Sequence, residues 1–472
     1  MKTTTITILS ENKPGVLYRI SNLFLRRKIN IESLSVSEIK KPGFSRFIIV
    51  VNEDEALVQK ISKQLARIIE VLEVSIQSNE TSQTTSVGSE IAKRIQVSII
   101  KRIELAGRAV NALSLAQGIP SFETAKYIKD AVKTAMETDR TDKYTPGYGI
   151  EPLRGIIVKK LKRDNGITAT NSQVIVTHGA IEALMAIFMG LLNPHDDVVM
   201  PTPNYASHIT QLRIALGGRS PIFVPFDETK EGWTLDIDKL EKAITPATKA
   251  ILICNPSNPT GKVYSRQELK AIAKLAIKYD LWIVADEIYE YFTYEGRKHV
   301  SIGSFPEVAD RTISVFGVSK SYAMTGWRIG YVVGPQKYID EVFKIHDSLV
   351  TCPTAVSQYA ALAAMKGDQK DVAFYKGEFE KRRAITAIEL AKCKKLTYTT
   401  PHGAYYAFPK LTVPVDDVEL SMRLIKEAKV SVVPGSPFGK GGEGHIRISY
   451  GVEEDALREG LRRLVKYLNE NL

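Results

Sequence analysis

Apolar residues recur along this chain in two rhythms, and the rhythm changes near residue 78. Residues 3–9 alternate polar and apolar, the mark of a strand with one covered face. Residues 12–15 hold a Pro-Gly turn, after which Val16, Ile20, Leu23 and Phe24 share one face of a helix. Residues 31–39 and 44–51 read as strands joined through Lys41-Pro42-Gly43. Leu57, Ile61, Leu65 and Ile68 predict a second helix, and residues 71–76 a last strand. The order βαββαβ is that of a ferredoxin-like domain. Residues 78–89 then carry a single apolar residue, Val87, and a tract that cannot bury surface reads as a linker.

Beyond the linker the rhythm is different. Residues 174–176, 198–200, 250–254, 281–285 and 312–316 are unbroken or nearly unbroken apolar runs, separated by helical spacings such as 182–192 and 266–279. Strands covered by helices on both faces look like this, so the long module is expected to be α/β with a mostly parallel sheet. In such sheets ligands bind beyond the carboxyl ends of the strands.

Composition narrows the function classes. A length of 472 residues suits two or three domains, and 44% hydrophobic with 25% charged residues is ordinary for a folded protein. The 64 Lys and Arg exceed the 53 Asp and Glu by 11. Residues 1–80 hold 12 Lys and Arg against 9 Asp and Glu, so the excess is spread thinly and forms no basic block interleaved with aromatics. Nucleic acid is not an expected partner. Cys254, Cys352 and Cys393 are far apart, with no C-x-x-C pair, so no metal site is expected and a reducing compartment is. The N-terminus lacks the apolar core of a signal peptide, and no run is long enough to cross a membrane; the expected location is cytoplasmic.

Four strand ends carry chemistry. Thr177-His178-Gly179-Ala180-Ile181 opens a helix whose free N–H groups could hold a phosphate, although many such turns carry glycine and bind nothing. Asn255-Pro256-Ser257-Asn258-Pro259-Thr260-Gly261 is more rigid than a plain turn needs. Asp286-Glu287-Ile288-Tyr289 places a carboxylate at the end of a buried strand, either as a helix cap or as the partner of a cation. Ser319-Lys320, followed by Gly326-Trp327-Arg328-Ile329-Gly330, places an amine where burial would lower its pKa, and an arginine suited to phosphate.

Taken in this order, the four motifs resemble the fold type I pyridoxal-phosphate aminotransferases of class I/II, from about Ser114 to the C-terminus. The resemblance implies a large α/β domain and a smaller α+β domain. It also implies that Lys320 joins pyridoxal phosphate through its amine and then moves the proton between Cα and C4′. Asp286 would pair with the pyridinium nitrogen, Asn258 and Tyr289 with the ring O3′, and Tyr205 would stack on the ring. The phosphate would rest on the N–H groups of Ala180 and Ile181 after Gly179, on Ser319 and on Arg328. Tyr144 would reach the phosphate of a neighbouring subunit. Arg447 would grip the substrate α-carboxylate, with Gly118 allowing substrate close to the backbone. In some bacterial aspartate aminotransferases of this kind a lysine at the position of Ile181 binds a distal carboxylate, which isoleucine cannot do.

The first module resembles the ACT domain of acetolactate synthase regulatory subunits. The matching strings are Glu11-Asn12-Lys13-Pro14-Gly15-Val16-Leu17, Arg26-Arg27-Lys28-Ile29-Asn30-Ile31-Glu32-Ser33-Leu34 and Ser45-Arg46-Phe47-Ile48-Ile49-Val50-Val51. That resemblance implies paired domains with a branched-chain amino acid between Asn12, Gly15 and Val16 of one copy and Asn30 and Ile31 of the other, or a domain that only dimerises.

The expected organisation is an ACT-like domain over 1–77, a linker over 78–89, an N-terminal segment of the small domain over 90–135, a cofactor-binding large domain over 136–365 and a C-terminal small domain over 366–472. The expected activity is exchange of an amino group between an L-amino acid (aspartate, alanine, branched-chain or aromatic) and a 2-oxo acid such as 2-oxoglutarate, in a homodimer or larger oligomer. A lyase using the same cofactor and a non-catalytic regulator of the same fold are the competing readings. Residues 439–444 match G-x-G-x-x-G literally but open no helix, so they are read as a mobile loop near Arg447 rather than a dinucleotide site.

Overall fold

Residues 3–39, 43–78, 91–92, 95 and 97–472 are described by the computed structural model, and the chain divides into two units, 1–89 and 90–472. The expected linker falls, from residue 79 on, outside the described residues, as do Lys41 and Pro42 of the expected turn.

The first unit runs β1 (Thr3–Glu11), α1 (Val16–Arg26), β2 (Ser33–Glu38), β3 (Phe44–Asn52), α2 (Glu55–Leu65) and β4 (Val71–Ser78). The sheet is antiparallel in the order β2-β3-β1-β4. Alternation sends Ile6, Ile8, Phe47, Ile49 and Val51 to one face, where they meet Val16, Ile20 and Phe24 of α1 and Val58, Ile61 and Leu65 of α2. Asp54 caps α2 by accepting the Leu57 N–H at 2.8 Å, and the helix stops at Leu65, so Ile68 packs from the following turn.

The second unit is built on a seven-stranded sheet. Its elements include α3 (Ile99–Ala109), β5 (Val174–Thr177), α4 (Ala180–Leu191), β6 (Asp197–Thr202), α5 (Ala206–Ala215), β7 (Ile222–Pro225), β8 (Thr248–Cys254), β9 (Trp282–Asp286), β10 (Thr312–Gly317), β11 (Gly330–Val333) and β12 (Ile446–Ser449). The sheet order is β5-β11-β10-β9-β8-β6-β7, and only β11 runs antiparallel to its neighbours. The five apolar runs of the sequence are five of these strands. Both faces of the sheet are covered, one by Leu184, Ile187, Ile339 and Val342 and the other by Leu269, Ile272, Ala273 and Ala276. Helices Lys370–Leu390 and Glu454–Asn471 pack together over Phe379, Leu457, Leu461 and Leu464 to form the core of the C-terminal lobe, against which β12 lies.

Strand register decides where the chemistry can sit. Cys254 at the end of β8 is level with Asp286 at the end of β9, and Asp286 with Val315 of β10. Gly330, which opens β11, pairs with Gly317 on one side and Thr177 on the other. The ends of β5, β8, β9 and β10 therefore open onto one shelf. Among the described residues no helix is long and apolar enough to cross a membrane, and no cluster of His, Cys, Asp or Glu could hold a metal ion.

Candidate active site

A cleft of about 430 Å³ opens on that shelf. One end of it is a cradle for an anion. Helix α4 begins after Gly179 (φ 81°) with no side chain capping its first N–H groups, so the positive end of the helix dipole faces the cleft. A Cβ on Gly179 would overlap the guanidinium of Arg328, and one on Gly330 would lie 2.6 Å from the Ala180 nitrogen. Glycine is required at both positions because three chain segments converge there. Arg328 itself holds a left-handed backbone (φ 56°) and donates to the Thr325 carbonyl at 3.0 Å, and Ser319 is buried beside it.

Lys320 stands three residues beyond β10, on the short helix Val318–Ser321. Its Nζ donates to the Gly118 carbonyl at 2.6 Å and lies 5.9 Å and 6.0 Å from the ring centres of Tyr289 and Tyr405. Burial, then the guanidiniums of Arg447 and Arg328, lower its pKa to about 7 against the opposing pull of Asp286.

Asp286 is buried and tied into a relay that the sequence reading missed. Its Oδ2 lies 2.9 Å from His208 Nε2, while Oδ1 accepts the Ile288 N–H at 3.2 Å. His208 Nδ1 lies 2.9 Å from Asn204 Oδ1. The Asn204 amide is oriented by its neighbours: Nδ2 donates to the Pro201 carbonyl and Oδ1 accepts the Tyr205 N–H. With the Asn204 oxygen as acceptor, His208 donates from Nδ1, and its Nε2 gives the buried Asp286 carboxyl a partner.

Arg447, on β12, is 1% exposed. Its guanidinium lies 4.6 Å from the centre of Tyr406 and 5.2 Å from that of Phe438; it donates to Asn258 Oδ1 at 3.1 Å and to the Ala116 carbonyl. Its Nε is buried without a partner, a donor left over for an incoming anion. Asn258 lies in the loop after β8, where the Asn255–Pro256 and Asn258–Pro259 peptides are both cis. The hydroxyls of Tyr289 and Tyr406 are 2.7 Å apart, and burial pushes the Tyr289 phenol well above its ordinary range.

Gly179 sits against Arg328, and Ala180, Ile181, Tyr205, Asn258, Asp286, Tyr289, Ser319, Lys320, Arg328, Gly118 and Arg447 all line this cleft. Gly118 differs in reason: a Cβ there would strike the Tyr406 hydroxyl, and its carbonyl accepts from Lys320 and from Tyr405 at 2.9 Å. Tyr144 does not line the cleft of its own chain and is 87% exposed. Loop 439–444, expected to be mobile and near Arg447, is hydrogen-bonded to its surroundings. Thr202 donates to the Lys440 carbonyl at 2.7 Å, Gly442 N–H to the Gly439 carbonyl, and no residue of the loop lines the cleft. His208, Asn204, Tyr405 and Tyr406 were not singled out from sequence. The one available signal was His208, four residues past Asn204 at the start of a helix that follows a strand.

In the first unit, Asn12, Gly15 and Asn30 are exposed, Val16 is buried, and Ile31 is half-buried. Gly15 needs its glycine for φ 86°, not for close contact, since a Cβ would meet open space. Asn30 Nδ2 donates to Glu32 at 2.9 Å. The two groups sit at opposite ends of α1, an 11-residue helix spanning about 16 Å, so one copy of the domain does not bring them together.

Comparison with known proteins adds to this geometry. Residues 110–464 match the family described as aminotransferase class I and II, well over half of the chain. The chain belongs to the class I and II aminotransferases. It is thus a pyridoxal-phosphate-dependent transaminase. Residues 6–73 match the ACT domain described as AHAS small subunit-like. A probable aspartate/prephenate aminotransferase of Aquifex aeolicus is 39% identical over 78% of this chain and 94% of its own. An aromatic-amino-acid aminotransferase of Thermococcus litoralis is 37% identical over 79% of this chain and 95% of its own. The crystal structure of an aromatic aminotransferase from Pyrococcus horikoshii is 37% identical, with a TM-score of 0.73 over 79% of this chain and 99% of that one.

The cleft of this aminotransferase fits the cofactor on its own geometry. It offers an anion cradle at the start of α4, an amine of lowered pKa, a carboxylate held by His208 and an unused guanidinium N–H. These answer in kind to a phosphate, an aldehyde, a ring nitrogen and a substrate carboxylate.

Proposed function

We propose that this aminotransferase moves an amino group from an L-amino acid of the aspartate or aromatic kind to a 2-oxo acid, with 2-oxoglutarate as the common acceptor. The observation that carries the reading is the amine of Lys320 in one cleft with the partly unused guanidinium of Arg447. Names of relatives at 37–39% identity support the donor class.

When bound, pyridoxal phosphate supplies the aldehyde that takes up the amino group and a ring that accepts the electron pair released at Cα. The chain's residues do the rest. The N–H groups of Ala180 and Ile181, the Ser319 hydroxyl and Arg328 hold the phosphate. Asp286, backed by His208, faces the ring nitrogen; Asn258 and Tyr289 face O3′; Tyr205 covers the ring. Arg447 takes the α-carboxylate and so fixes which Cα bond is presented. Lys320, with a pKa of about 7, is partly unprotonated at neutral pH, and removes the proton at Cα and returns it at C4′. The exposed Tyr144 reaches the cradle of a second subunit, which makes a homodimer the working unit. The ACT domains pair as well, with a branched-chain amino acid between Asn12, Gly15 and Val16 of one copy and Asn30 and Ile31 of the other. The protein works in the cytoplasm.

The test is a donor panel against 2-oxoglutarate with the holoenzyme, together with a half-reaction. An amino donor alone should consume the aldehyde chromophore stoichiometrically. Ammonia release or elimination products without that change would favour a lyase, and full activity in K320A would overturn the catalytic assignment. The effector reading fails if valine, leucine and isoleucine at millimolar concentration change neither rate nor melting temperature.

A further inference from the structure

Among the described residues the cleft holds four basic side chains, Lys101, Lys320, Arg328 and Arg447, and one acidic one, Asp286. Three of the four have work under the reading above: an aldehyde, a phosphate and an α-carboxylate. Lys101 has none. It forms no ion pair among the described residues, and the only carboxylate that shares the cleft with it is already occupied by His208.

We infer that Lys101 receives the distal carboxylate of dicarboxylic substrates. The inference rests on the proposed seating of the α-carboxylate at Arg447. A 2-oxo acid with two carboxylates, so seated, leaves one negative charge to place, and a desolvated carboxylate without a cation or donors is costly. Among the described residues the rest of the cleft supplies no further free cation, only neutral donors such as Gln117 and Ser207. Ile100, Ile119, Ile181 and Leu184 are apolar, with Ile119 and Ile181 both more than 40% exposed.

Two features suit Lys101 to the role. It stands in the first turn of α3, whose N-cap Ser98 makes no side-chain hydrogen bond, so the free N–H groups and the helix dipole add to its positive charge. Ser98, Ile100 and Lys101 line the cleft together. Lys101 is also exposed, beside Ile100 in the lining of the cleft. Its ammonium can turn to solvent while its stem joins the apolar wall. One cleft then accepts both a carboxylate and an aromatic or aliphatic side chain. The cation comes from the start of α3, not from the helix that carries Ile181.

The experiment compares the holoenzyme with its K101M, K101R and K101E variants. The readout is the ratio of kcat/KM for 2-oxoglutarate to that for phenylpyruvate, with one amino donor held constant. K101M should lower the ratio about ten- to hundredfold, the worth of a charge-assisted hydrogen bond, through KM rather than kcat. K101E should lower it further, and K101R should keep most of it. A calorimetric titration with glutarate against butyrate reads the same residue without turnover, and the preference for glutarate should fall in parallel. A ratio and a glutarate preference that stay within twofold in both K101M and K101E overturn the assignment. If the unaltered enzyme transfers an amino group to neither acceptor, the proposed function fails instead, and the glutarate titration still decides for or against Lys101.

Discussion

Replacing Lys320 by methionine should make the cofactor-free enzyme more stable at pH 6.5, although it destroys the amine that the reaction needs. Burial and the guanidiniums of Arg447 and Arg328 hold this amine at a pKa of about 7 in the folded chain. Unfolded, it titrates near 10.4. Between those values the unfolded chain binds more protons than the folded one, so this group makes stability rise with pH from about 7 to about 10. Below about 7 the amine is charged in both states, and the fold carries the whole cost. In a dry cleft that cost is about 4–5 kcal/mol. The cleft is open, and water in it screens the charge, leaving about 2–3 kcal/mol. Methionine keeps the bulk of the stem but loses the 2.6 Å bond to the Gly118 carbonyl, a loss of about 1 kcal/mol. K320M should therefore gain about 1–2 kcal/mol at pH 6.5 and become equal to or weaker than the unaltered chain by about pH 10. The assay is urea denaturation of the cofactor-stripped enzyme at pH 6.5, 8 and 10, following the transition of the larger unit. A difference that does not change with pH, or a K320M that is the weaker protein at pH 6.5, refutes the reasoning.

Other consequences are as specific. In G330A the new Cβ would stand 2.6–3.0 Å from the Ala180 nitrogen, the Gly179 carbonyl carbon and the Phe316 oxygen, all backbone. No rotamer relieves that contact, so the variant should lose about 3 kcal/mol and bind cofactor at least about tenfold more weakly, by melting temperature and cofactor titration. H208F removes the support of Asp286 and should lower kcat about ten- to hundredfold with little change in KM; an unchanged kcat would mean that Asp286 needs no partner. Lys160 and Glu290 form an ion pair at 2.5 Å, almost fully buried, joined by Asn165 at 2.7 Å. K160M should cost about 3–5 kcal/mol by leaving the carboxylate uncompensated, and K160M/E290L should recover most of it, as read from urea midpoints.

Local rules carried the sequence reading a long way. Buried parallel strands announce themselves as apolar runs, and five of the seven strands were visible for that reason. β11 was not, because Gly330–Val333 is four residues long and its antiparallel direction is a matter of pairing, not of periodicity. Lys320, Asp286 and Arg447 could be named because each follows a strand or sits within a motif. His208 and Asn204 were not, because their spacing of four residues is the one local signal and does not show that the other partner of the histidine lies 78 residues away. Lys101 was one basic residue among 64 until the cleft singled it out.

The chain by itself determined a βαββαβ module, a polar tract and an α/β unit whose chemistry lies at the strand ends. Those follow from spacings of 2 and 3.6 residues and from the cost of burying polar groups, which act over a few residues. Tertiary structure alone decided that Gly330 brings the Gly179 turn and the end of β10 together beside Arg328. It alone placed Lys101 in the cleft with Ile181, and separated the two groups of ACT residues by the length of α1. Strand register and helix length set these distances between residues remote in sequence, and no local pattern records them.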